Sequence, residues 1–259
     1  MTAFVKEAFE KELIKYFPHT KDAIAVNSGT SALIACLWSL DMNPGDEVIT
    51  TPFTFQATTN AIVIAGGTPV FVDIGDDYLI NADLIEEKIT DKTRAIVPVN
   101  IFGKLCNIKK ISDLAYEYGN IAVIEDSAQS FGGQWPRGSD AQCYSFYKTK
   151  NLSTFEGGAI VIPNVSLLNH KKIRAICDNG QTSKYYHEYI GFNFKMSDMT
   201  ALLGLERLKL HMVGALSELG MYGPQSGHYP TLTYQQPAIK KRGITGDCPN
   251  AERLVRMIK

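Results

Sequence analysis

Short unbroken apolar runs alternate along this chain with stretches whose apolar residues recur every three or four positions. Phe4, Val5, Phe9, Leu13, Ile14 and Phe17 keep helical spacing, which predicts an amphipathic helix over residues 4–17. Residues 23–26 then read as a strand, residues 27–31 as a turn and the following stretch to Leu40 as a second helix. The alternation continues: strands are expected at 47–50, 69–72, 95–99 and 121–124, and helices at 56–65, 81–89 and 108–118. Two further strands are expected near Tyr144 and over 159–162, then a helix over 197–213, a Gly/Pro/Tyr/Ser-rich loop over 220–234 and a last helix over 249–259. Continuous apolar strands are buried on both faces, so the pattern predicts an α/β fold with a mostly parallel sheet flanked by helices.

Composition narrows the ligand class. With 259 residues and 45% hydrophobic content the chain can bury one large core with room for a small appendix. A net charge of -1, with the cationic residues spread along the chain, sets up no field for nucleic acid or a membrane surface, so small molecules are the expected ligands. Cys36, Cys106, Cys143, Cys177 and Cys248 are widely spaced and form no C-x-x-C pair; they read as reduced thiols of a cytoplasmic protein, with no metal site expected. The first residues lack the apolar core of a signal peptide, and no run of about 18 apolar residues occurs.

The segment Ser145-Phe146-Tyr147-Lys148-Thr149-Lys150-Asn151-Leu152, with Glu156-Gly157-Gly158 just beyond, sets lysines beside hydroxyls and a glycine turn. That is a way to offer an amine to an aldehyde cofactor and to hold its phosphate. A Lys-x-Lys pair is by default solvated surface, so the idea needs partners at the carboxyl ends of the strands, where α/β sheets bind ligands. Three candidates occur there. The turn Asn27-Ser28-Gly29-Thr30-Ser31 is either a plain helix cap or a phosphate cradle at a helix N-terminus. Asp126 closes an apolar strand and is either a capping or ion-paired residue or the counter-charge of a pyridinium nitrogen, with Gln129 in reach of the same pocket. Phe55 follows strand 47–50 and either packs in the core or stacks on a flat ring.

These motifs, taken in order with Gly45-Asp46-Glu47-Val48-Ile49 and Ile124-Glu125-Asp126-Ser127-Ala128-Gln129, closely resemble the DegT/StrS family of nucleotide-sugar aminotransferases from about Phe9 to about Leu210. The resemblance implies the fold type I of enzymes dependent on pyridoxal 5'-phosphate (PLP). It implies Lys150 as the Schiff-base lysine, Asp126 at the pyridine nitrogen, Gln129 at the phenolic oxygen, Phe55 stacked on the ring and Gly29, Thr30 and Ser145 at the phosphate. Lys148 falls where the family carries a small residue or proline and receives no covalent role. Gly191 to Asp198 resembles a motif whose asparagine reaches the phosphate of the neighbouring subunit, which implies Asn193 in that role and a homodimer. The implied reaction moves an amino group from an amino acid, glutamate in the family, to a keto sugar carried on a nucleotide.

The chain also departs from the family pattern. Lys195 replaces a more usual arginine and Asn100 a frequent histidine, and the sequence passes within a few residues of His211 to a pattern found far nearer the family's C-terminus. The expected organisation is therefore a PLP-binding large domain over 1–211 and a shortened small-domain remnant over 212–259. The basic residues Lys240, Lys241, Arg242, Arg253 and Arg256 read as solvated charges. Rival readings are a PLP-binding family member without transferase activity, a PLP-dependent sugar dehydratase and a Rossmann oxidoreductase. A histidine at the position of Lys150 would favour the second. The third wants a G-x-G-x-x-G after the first strand, which is absent.

Overall fold

The computed structural model describes residues 3–133, 138–212 and 229–258. Helix α1 (Ala3–Tyr16) leads into β1 (Thr20–Val26) and α2 (Gly29–Trp38), followed by β2 (Glu47–Thr50), α3 (Gln56–Ile64) and β3 (Thr68–Phe71). Next come β4 (Thr93–Val97), α4 (Ile108–Glu117), β5 (Ala122–Asp126), β6 (Ala141–Ser145) and β7 (Gly158–Pro163). Helix α5 (His170–Cys177), the hairpin β8 (Gln181–Ser183) and β9 (Tyr186–His187), and helix α6 (Asp198–Met212) follow; α7 (Pro237–Lys240) and α8 (Pro249–Met257) end the described chain.

Seven strands form one sheet in the order β1-β7-β6-β5-β4-β2-β3. Only β7 runs against its neighbours, β1 and β6; the other pairings are parallel. The expected α/β class with a mostly parallel mixed sheet is what the chain adopts. Side chains alternate across the sheet because successive Cβ atoms of a strand point to opposite faces. Ile24, Val26, Ala95, Val97 and Ile124 join the layer under α2, α3 and α5, packed with Leu33, Leu37, Ile62 and Ile176. On the other face Ile96 and Val123 pack with Ile111 of α4 and with Leu254 and Val255 of α8, while Ala23 and Ala25 pack with Phe9 and Leu13 of α1 and Leu208 of α6.

The C-terminal segment belongs to this core. Leu232, Tyr234 and Ala251 are buried against Phe71 and Val72, and Asp73 accepts the backbone N–H groups of Asn250 (2.7 Å) and Ala251 (2.8 Å). A carboxylate on the first N–H groups of α8 caps it from across the fold, where the adjoining Cys248 side chain makes no capping bond.

Four details differ from the sequence pattern. Residues 81–89 form two 3₁₀ turns, Ala82–Leu84 and Glu86–Lys88, in place of one α-helix. Asn81 caps the first turn through Asp83, and the bonds from the N–H groups of Leu84, Lys88 and Ile89 run three residues back. The first strand starts at Thr20, because its polar, partly exposed first half pairs with Pro163 and Ile162 at the sheet edge. The fourth strand ends at Val97, with Val99 only bridging Asp126. Helix α5 and the hairpin β8–β9 are additional. The expected boundary after residue 211 abuts residues 213–228, which lie outside the described residues, as does residues 220–228 of the expected loop; Thr233–Gln235 is a 3₁₀ turn.

Candidate functional site

Parallel pairing brings the carboxyl ends of β1, β2, β4, β5 and β6 to one edge of the sheet, and a cavity of about 830 Å³ opens there. Its wall includes Ser28, Gly29, Thr30, Phe55, Asp126, Gln129, Ser145, Lys150 and Tyr229. Seven of the eight residues singled out in the sequence, spread over more than 120 positions, thus converge on one space.

The turn between β1 and α2 is held by its own hydroxyls. Ser28, in extended conformation, accepts the Ser31 N–H at 3.1 Å, and Ser31 Oγ donates to Asn27 Oδ1 at 2.6 Å. Ser28 therefore caps α2, as the plain reading has it, and the cap orients the helix so that its positive end faces the cavity beside the Thr30 and Ser145 side chains. Gly29 is demanded by packing: a Cβ there would sit 2.8 Å from Ser145 Cβ. Gly158 is tighter still, its Cβ position lying 2.6 Å from the backbone of both Ser28 and Tyr144. The glycines let α2, β6 and β7 approach closely enough to share the rim.

Asp126 is buried at the end of β5. Its Oδ2 accepts the Thr58 hydroxyl at 2.7 Å and its Oδ1 the Ala128 N–H at 3.2 Å, while Thr54 and Thr58 hydroxyls lie 2.9 Å apart behind it. Burial pushes the Asp126 carboxyl above its ordinary range, opposed by these two donors and by the charge of Lys150. Burial likewise lowers the pKa of Lys150, opposed by the charge of Asp126. Burial thus draws each group toward its neutral form, and each favours the charged form of the other. Lys150 Nζ has no hydrogen-bond partner among the described residues, whereas the exposed Lys148 lies over the Tyr147 ring at 5.7 Å.

Glu125, one residue before Asp126, points into the opposite layer and is closed off. It accepts Ser139 Oγ at 2.5 Å, Asn100 Nδ2 at 2.7 Å and Gln142 Nε2 at 3.0 Å. Asn100 in turn accepts the Cys106 N–H at 2.9 Å, which fixes the loop after β4. That loop carries Phe102, whose N–H donates to Gln129 Oε1 at 3.0 Å. Phe55 precedes α3 and keeps 65% of its surface exposed at the cavity mouth, so it is not core packing; Phe53, two residues earlier, is fully buried.

Asn193 is the one predicted residue outside this cavity. It is exposed, its carbonyl oxygen accepts Asn27 Nδ2 at 3.2 Å, and the adjacent Phe194 carbonyl accepts the Asn27 N–H at 2.7 Å. Lys195, beside it, pairs with Asp178. Sequence reasoning missed Thr58 and Tyr229. The hydroxyl of Thr58 meets Asp126 only through a contact 68 positions long, although its place in the first turn of a helix following a strand was a usable signal.

Known proteins resemble the chain in sequence and in fold. Spore coat polysaccharide biosynthesis protein SpsC of Bacillus subtilis is 38% identical over 78% of this chain and 56% of its own length. GDP-perosamine synthase of Escherichia coli O157:H7 is 36% identical over 74% of this chain and 54% of its own. Among solved structures, NtdA of Bacillus subtilis with bound cofactor PMP superposes with a TM-score of 0.85 at 28% identity, covering 98% of this chain and 71% of that one. The sugar aminotransferase Spr1654 of Streptococcus pneumoniae, described as putative and solved in its PLP form, gives a TM-score of 0.74 at 28% identity over 82% and 60%. The chain spans about half the length of the curated relatives it matches. The profile of the DegT/DnrJ/EryC1/StrS aminotransferase family matches residues 4–213, and the chain belongs to that family.

Proposed function

We propose that this chain is a PLP-dependent aminotransferase that moves an amino group from an amino acid, glutamate being the expected donor, to a keto sugar linked to a nucleotide. The observation that carries the reading is the pairing of a half-buried Lys150 amine, unbonded among the described residues, with the buried Asp126 carboxylate in one cavity beside the N-terminus of α2.

The residues present fit the cofactor. Asp126 uses one bond on each oxygen, and a carboxylate has about four lone-pair positions, so acceptor capacity remains for a ring N–H. A ring cation there also supplies the counter-charge that burial demands. The α2 N-terminus with Thr30 and Ser145 suits a phosphate, and the bare Phe55 ring suits a flat heterocycle. PLP bound there would supply an aldehyde carbon for a lysine amine and a protonated ring that withdraws electrons from the reacting carbon.

In this reading Lys150 is the attachment amine and then the proton carrier. Burial lowers its pKa and so favours the neutral amine more than in a solvated lysine, the form a base that removes a proton from the donor's α-carbon must take. Asp126 holds the proton on the ring nitrogen, Gln129 donates to the phenolic oxygen, and Gly29, Thr30 and Ser145 hold the phosphate. Thr58 positions the Asp126 carboxylate. We further propose a cytoplasmic homodimer in which Asn193 serves the neighbouring site. Its exposure supports this, as does exposed apolar surface at Tyr185, Ile190 and Met199. The cofactor-binding part is read as residues 1–211, with Tyr229 of the C-terminal segment also lining the cavity.

The decisive experiment mixes PLP-loaded protein with glutamate and no sugar. Release of 2-oxoglutarate in a single-turnover amount is expected, and a later keto-sugar nucleotide should restart turnover. Retention of all the glutamate would sink transferase activity and leave a PLP-binding protein.

A further inference from the structure

Tyr229 enters the cavity from the C-terminal segment and lines it. Its hydroxyl lies 2.5 Å from Gln129 Nε2, and its ring packs edge-on against the buried Phe53 at 5.5 Å. Its backbone takes the left-handed conformation, φ +48, which a bulky side chain adopts only where surrounding structure holds it. The phenol is pushed up to about 12, first by burial and then by the charge of Asp126, so it stays a hydroxyl through the neutral range.

Gln129 has an orientation that can be read from its partners. The Phe102 backbone N–H can only donate, so the atom that faces it is the carbonyl oxygen, and the amide nitrogen faces Tyr229. That nitrogen carries two N–H groups. One is engaged by Tyr229, and the other remains for an acceptor inside the cavity that Gln129 lines. With the phenol removed, the amide keeps only the Phe102 bond and can swing about it.

We propose that Tyr229 is a positioning residue for Gln129: its hydroxyl fixes the amide so that one N–H is presented to the phenolic oxygen of the cofactor. The inference rests on the PLP reading above, and it makes the segment after residue 228 part of the cofactor site.

The test compares the full chain with Tyr229→Phe, which keeps the ring against Phe53, and with Tyr234→Phe, which removes a buried hydroxyl bonded to Glu252 at 2.9 Å instead of to Gln129. Hydrogen exchange of the Phe102 amide in cofactor-free protein should speed up about tenfold in Tyr229→Phe and stay unchanged in Tyr234→Phe. PLP affinity should fall about tenfold in Tyr229→Phe, and Gln129→Ala should lose no more than about a further twofold when Tyr229→Phe is added, since coupled residues do not add. Unchanged Phe102 exchange in Tyr229→Phe, or losses of PLP affinity that add in full, would overturn the proposal. If the parent chain takes up no PLP, the functional reading fails by itself, while exchange at Phe102 still decides whether Tyr229 holds Gln129.

Discussion

Glu125 and Asp126 are consecutive, buried carboxylates at the end of the same strand, and burial pushes both upward in pKa, yet they do opposite things. Glu125 faces one side of the sheet and meets three side-chain donors that close around it. Asp126 faces the other way, keeps unused acceptor capacity and looks across the cavity at an amine. A carboxylate whose bonds are completed by its own chain is a fastening. One that is left incomplete while buried suits a ligand cation.

The largest effect should come from the amine that faces Asp126. Lys150→Ala is expected to abolish covalent cofactor uptake and to lower amino transfer by about 10³-fold or more, checked by adduct mass and donor half-reaction. Asp126→Asn should lower the rate by about 10²-fold by removing the charge that keeps the ring nitrogen protonated.

The same substitution has a stability signature with a defined sign. The folded-state pKa of Asp126 is raised, so the group costs nothing below about pH 4, the unfolded carboxyl's range, and destabilises the cofactor-free protein as pH rises through the folded pKa. Asp126→Asn should therefore raise the cofactor-free melting temperature at pH 7 and leave it unchanged near pH 3. Equal melting at pH 7 would mean that burial places no net penalty on the ionised Asp126 carboxylate.

Gly29→Ala adds a Cβ 2.8 Å from Ser145 Cβ and should lower PLP affinity about tenfold with a loss of about 1–3 kcal/mol in stability. Glu125→Gln sharpens the comparison from the other side. It turns one acceptor atom into a donor facing donors, which should cost about 1–3 kcal/mol in denaturant unfolding while PLP attachment persists. Loss of attachment without loss of stability would reverse the roles assigned to the two carboxylates. Lys148→Ala, at an exposed lysine on a neighbouring aromatic ring, should change attachment and rate by less than about twofold.

Legibility in the sequence divides along the same line. Uninterrupted runs such as 121–124 and 159–162 announced the central strands because a strand covered on both faces must be apolar throughout. Residues just beyond such runs marked Asp126, Phe55 and the Ser28 turn, since strand ends of a parallel sheet share one edge. Elements whose form depends on partners stayed hidden. The hairpin β8–β9 is largely exposed and has no apolar alternation, and residues 81–89 have helix-like spacing but bury chiefly Ile85, which two 3₁₀ turns satisfy. Helix α5 has a buried face of Ile173, Ile176 and Cys177 that could have been read. Glu125 looked like any strand-end acid, and only Ser139 and Gln142 from the β6 segment and Asn100 from the loop after β4 show it to be closed. Tyr229 is 100 positions from the amide it touches, beyond any local pattern.

The measurement that bears most directly on the central claim is borohydride reduction of PLP-loaded protein followed by peptide mass mapping. A cofactor adduct on Lys150, absent from Lys148, is the expected result. An adduct on Lys148, or on no lysine, would contradict the assignment of the cavity between Asp126 and Lys150 as the cofactor site.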